Sequence, residues 1–347
     1  MKRKAFFILI TFLSASWVFA QTNIQPAAIV NLIRSEPITV GQLRAEVERM
    51  ERATGRTLNQ SERLQVLDVM INERLALQAA ERDRITVSEN EVNTQMNQLR
   101  AQMVQVIGRQ PTDAEFAAAV RNETGLEMAA YREQLRRQLV TQKYLMSQKQ
   151  EMFENIRVPS EQDILNTYNL TRSQFVRPET VRFSMIQVPY GPDAASRTRA
   201  RDLIDRLARE IGTSPARFIE VEQRSQAPNS GFQAGDGGFL PRNMEAAQIV
   251  GQEFMNVAFN LRMGEVSRVI EGRPGFQIIK VTEIYAMRNL ELDDIFQLGT
   301  RITVRDFIGN GLLQERQMEV IARATEELVS ELRAGRTFQV FERNINW

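Results

Sequence analysis

The stretch that decides the fold reads Val181-Arg182-Phe183-Ser184-Met185-Ile186-Gln187-Val188-Pro189. Apolar and polar side chains alternate along it, and a period of two predicts a β-strand. Residues 276–284 are dense in β-branched side chains and predict a second strand. The residues between and around these two strands decide the rest of the architecture.

The segment between the two strands predicts a small α+β domain. Residues 194–211 form an amphipathic helix pattern, and residues 215–225 predict a second helix. A loop rich in Gly and Asn follows over residues 228–238. A short helix over 252–260 and a strand over 266–270 complete the segment. Together these elements predict an α+β domain of roughly a hundred residues.

The chain before this domain is helical in pattern. Leu67, Ile71 and other apolar residues recur at steps of three and four within residues 41–168. Ser88 with Glu91 three residues later is typical of a helix start. We expect four or five helices here.

The two ends of the chain carry strand patterns that need a partner. Residues 27–40 predict a small hairpin, and residues 337–345 predict a final strand after an apolar helix face near Met318 and Leu332. A lone strand at the end must pair with something, and the hairpin offers an edge. We therefore expect both ends to form one discontinuous domain that carries the α+β domain as an insert.

The composition excludes several chemistries. The chain of 347 residues has no histidine and no cysteine, so zinc fingers, zinc hydrolases, Cys-His proteases and Ser-His-Asp triads are excluded. No G-x-x-x-x-G-K-[ST] motif occurs, so we expect no ATP. We also expect no metal and no other cofactor. A carboxylate pair or a Ser-Lys pair stays open. The net charge of +1 argues against a nucleic-acid partner.

The N-terminus predicts export. A basic start at residues 1–4 precedes an apolar run over 5–17, which is typical of a signal peptide. We expect residues 1–20 to be removed by cleavage between Ala20 and Gln21; a membrane anchor is the alternative. The exported protein has no disulfide and must be stabilised by its core.

Four blocks of the α+β segment resemble the parvulin-type peptidyl-prolyl isomerases in order and spacing. They are residues 183–188 (FSMIQV), 235–239 (GDGGF), 254–267 (FMNVAFNLRMGEVS) and 275–281 (GFQIIKV). The flanks resemble the family of periplasmic chaperones that includes SurA, PpiD and PrsA, over residues 29–43, 66–92 and 315–347. The resemblance implies a helical chaperone domain, built from both chain ends, with an inserted parvulin-like domain (β-α-α-β-α-β-β). The expected limits are 1–20 for the signal peptide, 21–175, 176–286 for the parvulin-like domain, and 287–347.

The chain departs from the family where catalysis would lie. The family's first strand carries a histidine at the position of Met185, and its last strand carries another at the position of Gln277. A cysteine or aspartate of the family corresponds to Ala227. We therefore expect no catalytic residue. An X-Pro bond crosses a barrier of ~18–20 kcal/mol, and each lost polar group costs on the order of 3 kcal/mol of transition-state stabilisation.

The resemblance also implies substrate-binding positions. They are Met185, Gly237, Val250, Phe254 and Gln277. Plain alternatives stay open: Met185 and Phe254 as core residues, and Gln277 as a hydrogen-bonding group across the sheet. Asp236 is interpreted as a turn residue, and the cations of residues 132–143 as a solvated helix face.

Two main hypotheses for the function and a third one stay open. The resemblance implies an ATP-independent periplasmic holdase whose partners are unfolded or extended client polypeptides, outer-membrane β-barrel precursors above all. The alternative is an active parvulin-type isomerase that assists the folding of exported proteins. A purely structural envelope component is a third hypothesis.

Overall fold

The computed structural model describes residues 23–347, so the signal-peptide prediction, with Ala20 and Gln21, lies outside the described residues. The chain divides into two compact units. The first, called the helical unit, consists of the described residues 23–157 and 316–347. The second, called the α+β unit, is Val158–Glu315. The two units are defined by compactness alone. They do not test the domain limits expected from the sequence, which stay predictions.

The secondary structure is as follows in chain order. The strands are β1 (Pro26–Val30), β2 (Glu36–Thr39), β3 (Val176–Arg177), β4 (Thr180–Pro189), β5 (Gln233–Pro241), β6 (Ile270–Glu271), β7 (Gly275–Tyr285), β8 (Arg288–Asn289) and β9 (Phe338–Val340). The helices are α1 (Val40–Thr54), α2 (Gln60–Arg82), α3 (Glu89–Ile107), α4 (Asp113–Thr124), α5 (Met128–Gln148), α6 (Gln150–Glu154), α7 (Glu161–Thr171), α8 (Ala194–Ile211), α9 (Pro215–Arg224), α10 (Met244–Val250), α11 (Gln252–Asn260) and α12 (Val304–Ala334). Among these described helices, none is long and apolar enough to cross a membrane.

A three-stranded sheet closes the helical unit. Its order is β2-β1-β9, so the C-terminal strand pairs with the N-terminal hairpin as predicted. The core beneath it contains Leu43, Leu67, Ile71 and Leu75, all buried. The predicted strand over 337–345 is wrong in its second half, because the backbone turns into a 3₁₀ helix at Glu342–Asn344 and buries Ile345.

The helical region contains more helices than the four or five expected. Seven helices, α1 to α7, lie in this part of the described chain. Glycines break the pattern: Gly55, Gly108 and Gly125 end α1, α3 and α4 with φ near +70°, a conformation that glycine adopts without steric cost. Ser88 caps α3 and Glu91 reaches back to the Ser88 backbone N–H, which confirms that predicted start.

The α+β unit is built on an antiparallel sheet of order β5-β4-β7-β6. Alternate residues of β4 point to opposite faces. Ile186 and Val188 pack against α8 and α9, whereas Val181 and Phe183 pack against α10 and α11. The predicted helices over 194–211 and 252–260 coincide with α8 and α11.

Two sequence expectations fail in this unit. The loop predicted over 228–238 is strand β5 from Gln233 onward, since pairing with β4 compensates for the weak strand propensity of its glycines. The strand predicted over 266–270 is reduced to β6 and an isolated bridge between Val266 and Lys280.

Candidate functional site

Three of the five predicted substrate-binding residues come together on one face of the sheet. Met185 and Val250 are half-buried and pack against an apolar cluster that includes Phe254. Strand β4 supplies Met185, whose register partners are Ile279 on β7 and Gly235 on β5. This surface is called the sheet face below.

Phe254 is closed to solvent. Its side chain is 3% exposed, and its ring lies 5.3 Å from the ring of Phe183 in an edge arrangement, at an interplanar angle of 66°. Edge-to-face aromatic pairs at this distance are attractive. Phe254 therefore stabilises the core here, and it does not line an open pocket.

Gly237 allows Phe183 to take this position. A Cβ atom built at Gly237 would overlap the Phe183 ring, so the leucine that the parvulin family carries there does not fit beside this ring. The loss of the leucine and the inward Phe183 ring are thus linked. Gly237 itself is exposed, on the strand β5.

Gln277 lies in the sheet opposite Gln187, a residue that the sequence analysis missed. The Gln277 Nε2 donates to Gln187 Oε1 at 3.1 Å. Gln277 is only 6% exposed, and its Oε1 has no hydrogen-bond partner in the described residues. A signal for Gln187 exists, because it is a polar residue two positions after Met185 and therefore shares its face. Neither amide gains or loses a proton near neutral pH.

Asp236 lies within strand β5, opposite Ser184, so the prediction of a turn residue is wrong. Its Oδ1 accepts from the Gly238 backbone N–H at 2.9 Å, and its Oδ2 accepts from Arg182 at 2.7 Å. The Arg182 hydrogen bond, followed by that from Gly238, holds the pKa of the Asp236 carboxyl below its usual range. The bulge in β5 needs glycine, since Gly238 has a φ of +80°. Asp236 therefore stays ionised and is no proton donor.

Ala227 lies apart from the sheet face. It is exposed in the turn after α9, where its backbone N–H donates to the Arg224 carbonyl at 3.1 Å. The structure does not bring it into the cluster around Met185. The accessible part of the sheet face thus consists of the Met185 thioether and the Gln187 amide, and Phe254 and Gln277 are buried beside them.

A second candidate site is an apolar groove within the helical unit. Its volume is about 750 Å³. It is lined by α2, α5, α6 and the C-terminal half of α12, through Val69, Asn72, Glu73, Ala76, Thr141, Gln142, Leu145, Met146, Phe153, Ile156, Gln317, Ile321, Thr325, Leu328, Val329 and Leu332. Large apolar side chains face solvent there: Val69 is 67% exposed, Met146 50% and Ile321 41%. Exposed apolar patches of this kind mark interaction surfaces.

Ion pairs connect the helices that form this apolar groove. Lys149, at the junction of α5 and α6, donates to Glu331 at 2.7 Å and to Glu327 at 3.2 Å, both on α12. The Glu331 hydrogen bond raises the pKa of Lys149. Arg333 of α12 donates to Asp68 of α2 at 2.9 Å. These ion pairs hold α2, α12 and the junction of α5 and α6 in place around the apolar lining of the groove.

The cations of α5 form ion pairs with neighbouring helices, which the prediction of a solvated helix face did not include. Arg137 pairs with Glu73 at 3.3 Å, and Lys143 pairs with Glu91 at 2.9 Å. Arg132 and Arg136 both pair with Glu89. These contacts connect α5 to α2 and α3, so their role is structural.

Two known domain families match this chain, each over a different segment. A SurA-like N-terminal domain matches residues 2–145, and a PPIC-type PPIase domain, the parvulin type, matches residues 159–296. The chain therefore carries a SurA-like N-terminal domain and one parvulin-type domain. The predicted fold class is confirmed: a helical domain formed by both chain ends, with an inserted parvulin-like domain.

Similar curated proteins are chaperones and foldases by name. The chaperone SurA of Saccharophagus degradans is 26% identical, over 80% of this chain and 63% of that protein. The chaperone SurA of Alcanivorax borkumensis is 31% identical, over 64% of this chain and 47% of that protein. A foldase protein PrsA of Clostridium botulinum is 23% identical, over 81% and 75%. The chain thus spans about half to two thirds of the length of these two SurA proteins.

Proposed function

We propose that this protein is an ATP-independent periplasmic chaperone, a holdase that keeps unfolded exported polypeptides from aggregating. The single observation that carries the proposal is the apolar groove of the helical unit, with Val69, Met146 and Ile321 open to solvent. Burying one client side chain of Leu or Phe size stabilises a complex by about 1.5–3 kcal/mol. Several such contacts bind a client without ATP or covalent chemistry.

The dimensions of the groove favour an extended client. Its lining runs along α12 from Gln317 to Leu332, which is roughly 22 Å at 1.5 Å per residue. An extended segment of about six or seven residues has this length at ~3.3 Å per residue. A helix of the same length, about 10–12 Å wide, needs roughly two to three times the groove volume of about 750 Å³. Among exported proteins, we propose outer-membrane β-barrel precursors as the main clients, on the strength of the family resemblance.

The parvulin-type domain serves, in this proposal, as a peptide-binding surface without normal isomerase activity. Met185 and Gln277 supply a thioether and a neutral amide where the family has histidines, and Phe254 is closed to solvent. Neither side chain is a group that can gain or lose a proton near neutral pH.

Light scattering of an unfolded β-barrel precursor, diluted from denaturant, tests the holdase function. We expect stoichiometric protein to suppress aggregation. The triple variant Val69→Ser, Met146→Ser, Ile321→Ser should require about tenfold more protein for the same suppression, because it removes apolar contact area. A matched control is Val106→Ser, a change at a residue that is 86% exposed on α3 and outside the groove. If the unmodified protein fails to suppress aggregation, the holdase proposal is wrong.

An active isomerase is the second candidate, and the match to a PPIC-type PPIase domain favours it. Protease-coupled or NMR exchange measurements on a short X-Pro peptide separate the two. We expect catalysis at least about a hundredfold below that of a histidine-bearing parvulin, since lost transition-state hydrogen bonds cost this much each. A rate close to that of such a parvulin would overturn the view of a degenerate domain.

A further inference from the structure

Strand β5 forms an open edge of the sheet in the α+β unit. It pairs with β4 on one side, and no second strand pairs with it among the described residues. The strand at the opposite edge, β6, has only two residues. Along an unpaired edge, the outward backbone N–H and C=O groups are free to pair with another strand.

The usual protections of an exposed edge are weak on β5. Proteins block such edges with lysines, prolines, uncompensated charges or bulges. Strand β5 reads QAGDGGFLP: it has no basic residue, and its only proline, Pro241, ends the strand. Its one charge, Asp236, is paired with Arg182. A bulge at Gly237 is the single protection, and it leaves the stretch Gln233–Asp236 regular.

The regular stretch of β5 is accessible. Gln233 and Asp236 are exposed, and Ala234 and Gly235 are half-exposed. A Cβ atom built at Gly235 would meet no atom within 4 Å. Because Gly235 has no side chain and is the register partner of Met185, the half-buried Met185 can be reached from this edge.

We propose that the edge Gln233–Asp236 binds an extended segment of an unfolded polypeptide by strand addition. Only an extended backbone presents N–H and C=O groups at strand spacing, whereas a helix satisfies its own. Alternate apolar side chains of the added strand would lie across Gly235 toward Met185. This inference rests on the proposed chaperone function and assigns the parvulin-type domain a way to bind clients without the family's proline pocket.

Peptides methylated on alternate backbone nitrogens test strand addition on the full-length protein. An unmodified eight-residue peptide of alternating Val and Thr, labelled with a fluorophore, is compared by fluorescence anisotropy with two isomers. One isomer carries N-methyl groups on two odd residues, the other on two even residues. Strand addition predicts that one isomer binds about tenfold more weakly or worse, because it loses two hydrogen bonds. The other isomer should bind like the parent peptide, since its methyl groups point to solvent.

Variants of the protein locate the site. Gln233→Lys places a protective cation on the exposed edge and should weaken the parent peptide several-fold. The groove variant Val69→Ser, Met146→Ser, Ile321→Ser should still bind the parent peptide. It should also still bind one methylated isomer more weakly than the other. Equal weakening by both methylated isomers overturns the inference. So does a dimer that Gln233→Lys dissociates, because the edge would then pair with a second copy.

The outcomes for function and edge are separable. If the protein suppresses aggregation but binds both methylated isomers equally well, strand addition is wrong and the holdase proposal stands. Loss of suppression by the unmodified protein overturns the holdase proposal, whatever the peptides do.

Discussion

Gln277 shows how a single residue changes the chemistry of this fold. The parvulin family has an imidazole there, which titrates near neutrality. Gln277 instead donates to Gln187 and stays neutral at every pH of interest. The pair fixes two central strands, β4 and β7, to each other. The pair therefore satisfies the buried Gln277 Nε2 between the strands, whereas Gln277 Oε1 has no partner among the described residues.

The pairing of Gln187 with Gln277 is testable by a double-mutant cycle. Gln187→Leu removes the acceptor and leaves the buried Gln277 amide without a partner, so we expect a loss of about 1–3 kcal/mol in the unfolding free energy. Gln187→Leu combined with Gln277→Leu removes both polar groups and should be nearly neutral. Urea denaturation followed by circular dichroism measures both variants together with the single variant Gln277→Leu, which completes the cycle. Additive losses in the double variant would contradict a direct pair.

Part of this site follows from sequence alone. The positions of Met185 and Gln277 follow from the strand pattern and the family blocks, and both lie on adjacent strands in the structure. The burial of Phe254 could not be predicted, because it depends on the Phe183 ring entering the space that Gly237 leaves open. Such a coupling between distant residues exists only in three dimensions.

At the scale of elements, the helix starts are the best-encoded features. Asn59, Ser88 and Thr112 each cap a helix, and a glutamate at the third helical position reaches back to the cap. These glutamates are Glu62, Glu91 and Glu115, and the pKa of each is lowered to about 2. For Glu91 the main cause is the hydrogen bond from the Ser88 backbone, followed by Lys143.

These caps predict a pH dependence of the helical unit. A carboxyl whose folded pKa lies below its unfolded value, here about 2 against 4.5, contributes stability above pH 4.5 and loses it as the pH falls toward 2. We therefore expect the melting temperature to fall between pH 4.5 and 2, and to fall less in Glu91→Gln. The glutamine keeps the capping geometry and removes the titration.

Thermal melts at several pH values compare this variant with Glu48→Gln. Glu48 is exposed on α1, and its carboxylate makes no hydrogen bond or ion pair with the described residues. The Glu48→Gln profile should follow that of the unmodified protein. An unchanged profile for Glu91→Gln would show that this cap does not contribute to the acid sensitivity.

Strands are less completely encoded than helices in this chain. Helices α8 and α11 follow directly from apolar periodicity. Strand β5 is missed because Gly235, Gly237 and Gly238 carry no strand signal, and its conformation is imposed by the ladder with β4. Tertiary pairing thus decides the edge at which we propose that clients bind.

On the scale of the whole molecule, the C-terminal strand pairs with the N-terminal hairpin. Strand β9 pairs with β1 through Ala28 and Val340, and Phe338 lies opposite Val30. The C-terminal half of α12, which precedes β9, also lines the apolar groove. The groove therefore depends on residues more than two hundred positions apart in sequence, so a local pattern predicts its apolar content without its shape.

The return of the chain predicts a position-specific effect within β9. Phe338 packs against the core of the helical unit. The Arg333 guanidinium lies over the Phe338 ring, 4.6 Å from the ring centre. The neighbouring Gln339 is exposed. Phe338→Asp removes apolar contacts and places a charge against the core, so we expect a loss of about 2–4 kcal/mol. Gln339→Asp adds the same charge on the solvent side and should cost less than about 0.5 kcal/mol.

Hydrogen exchange measured by mass spectrometry locates the effect of Phe338→Asp. Amides of β1 and of the adjoining helix α2 should exchange faster, because they share the core that Phe338 covers. Amides of β4 and β7 should be unchanged, since their cores lie within the α+β unit. The aggregation suppression that we propose should fall together with the exchange protection, because α2 and α12 line the apolar groove. Equal effects of Phe338→Asp and Gln339→Asp would mean that β9 does not close the helical unit.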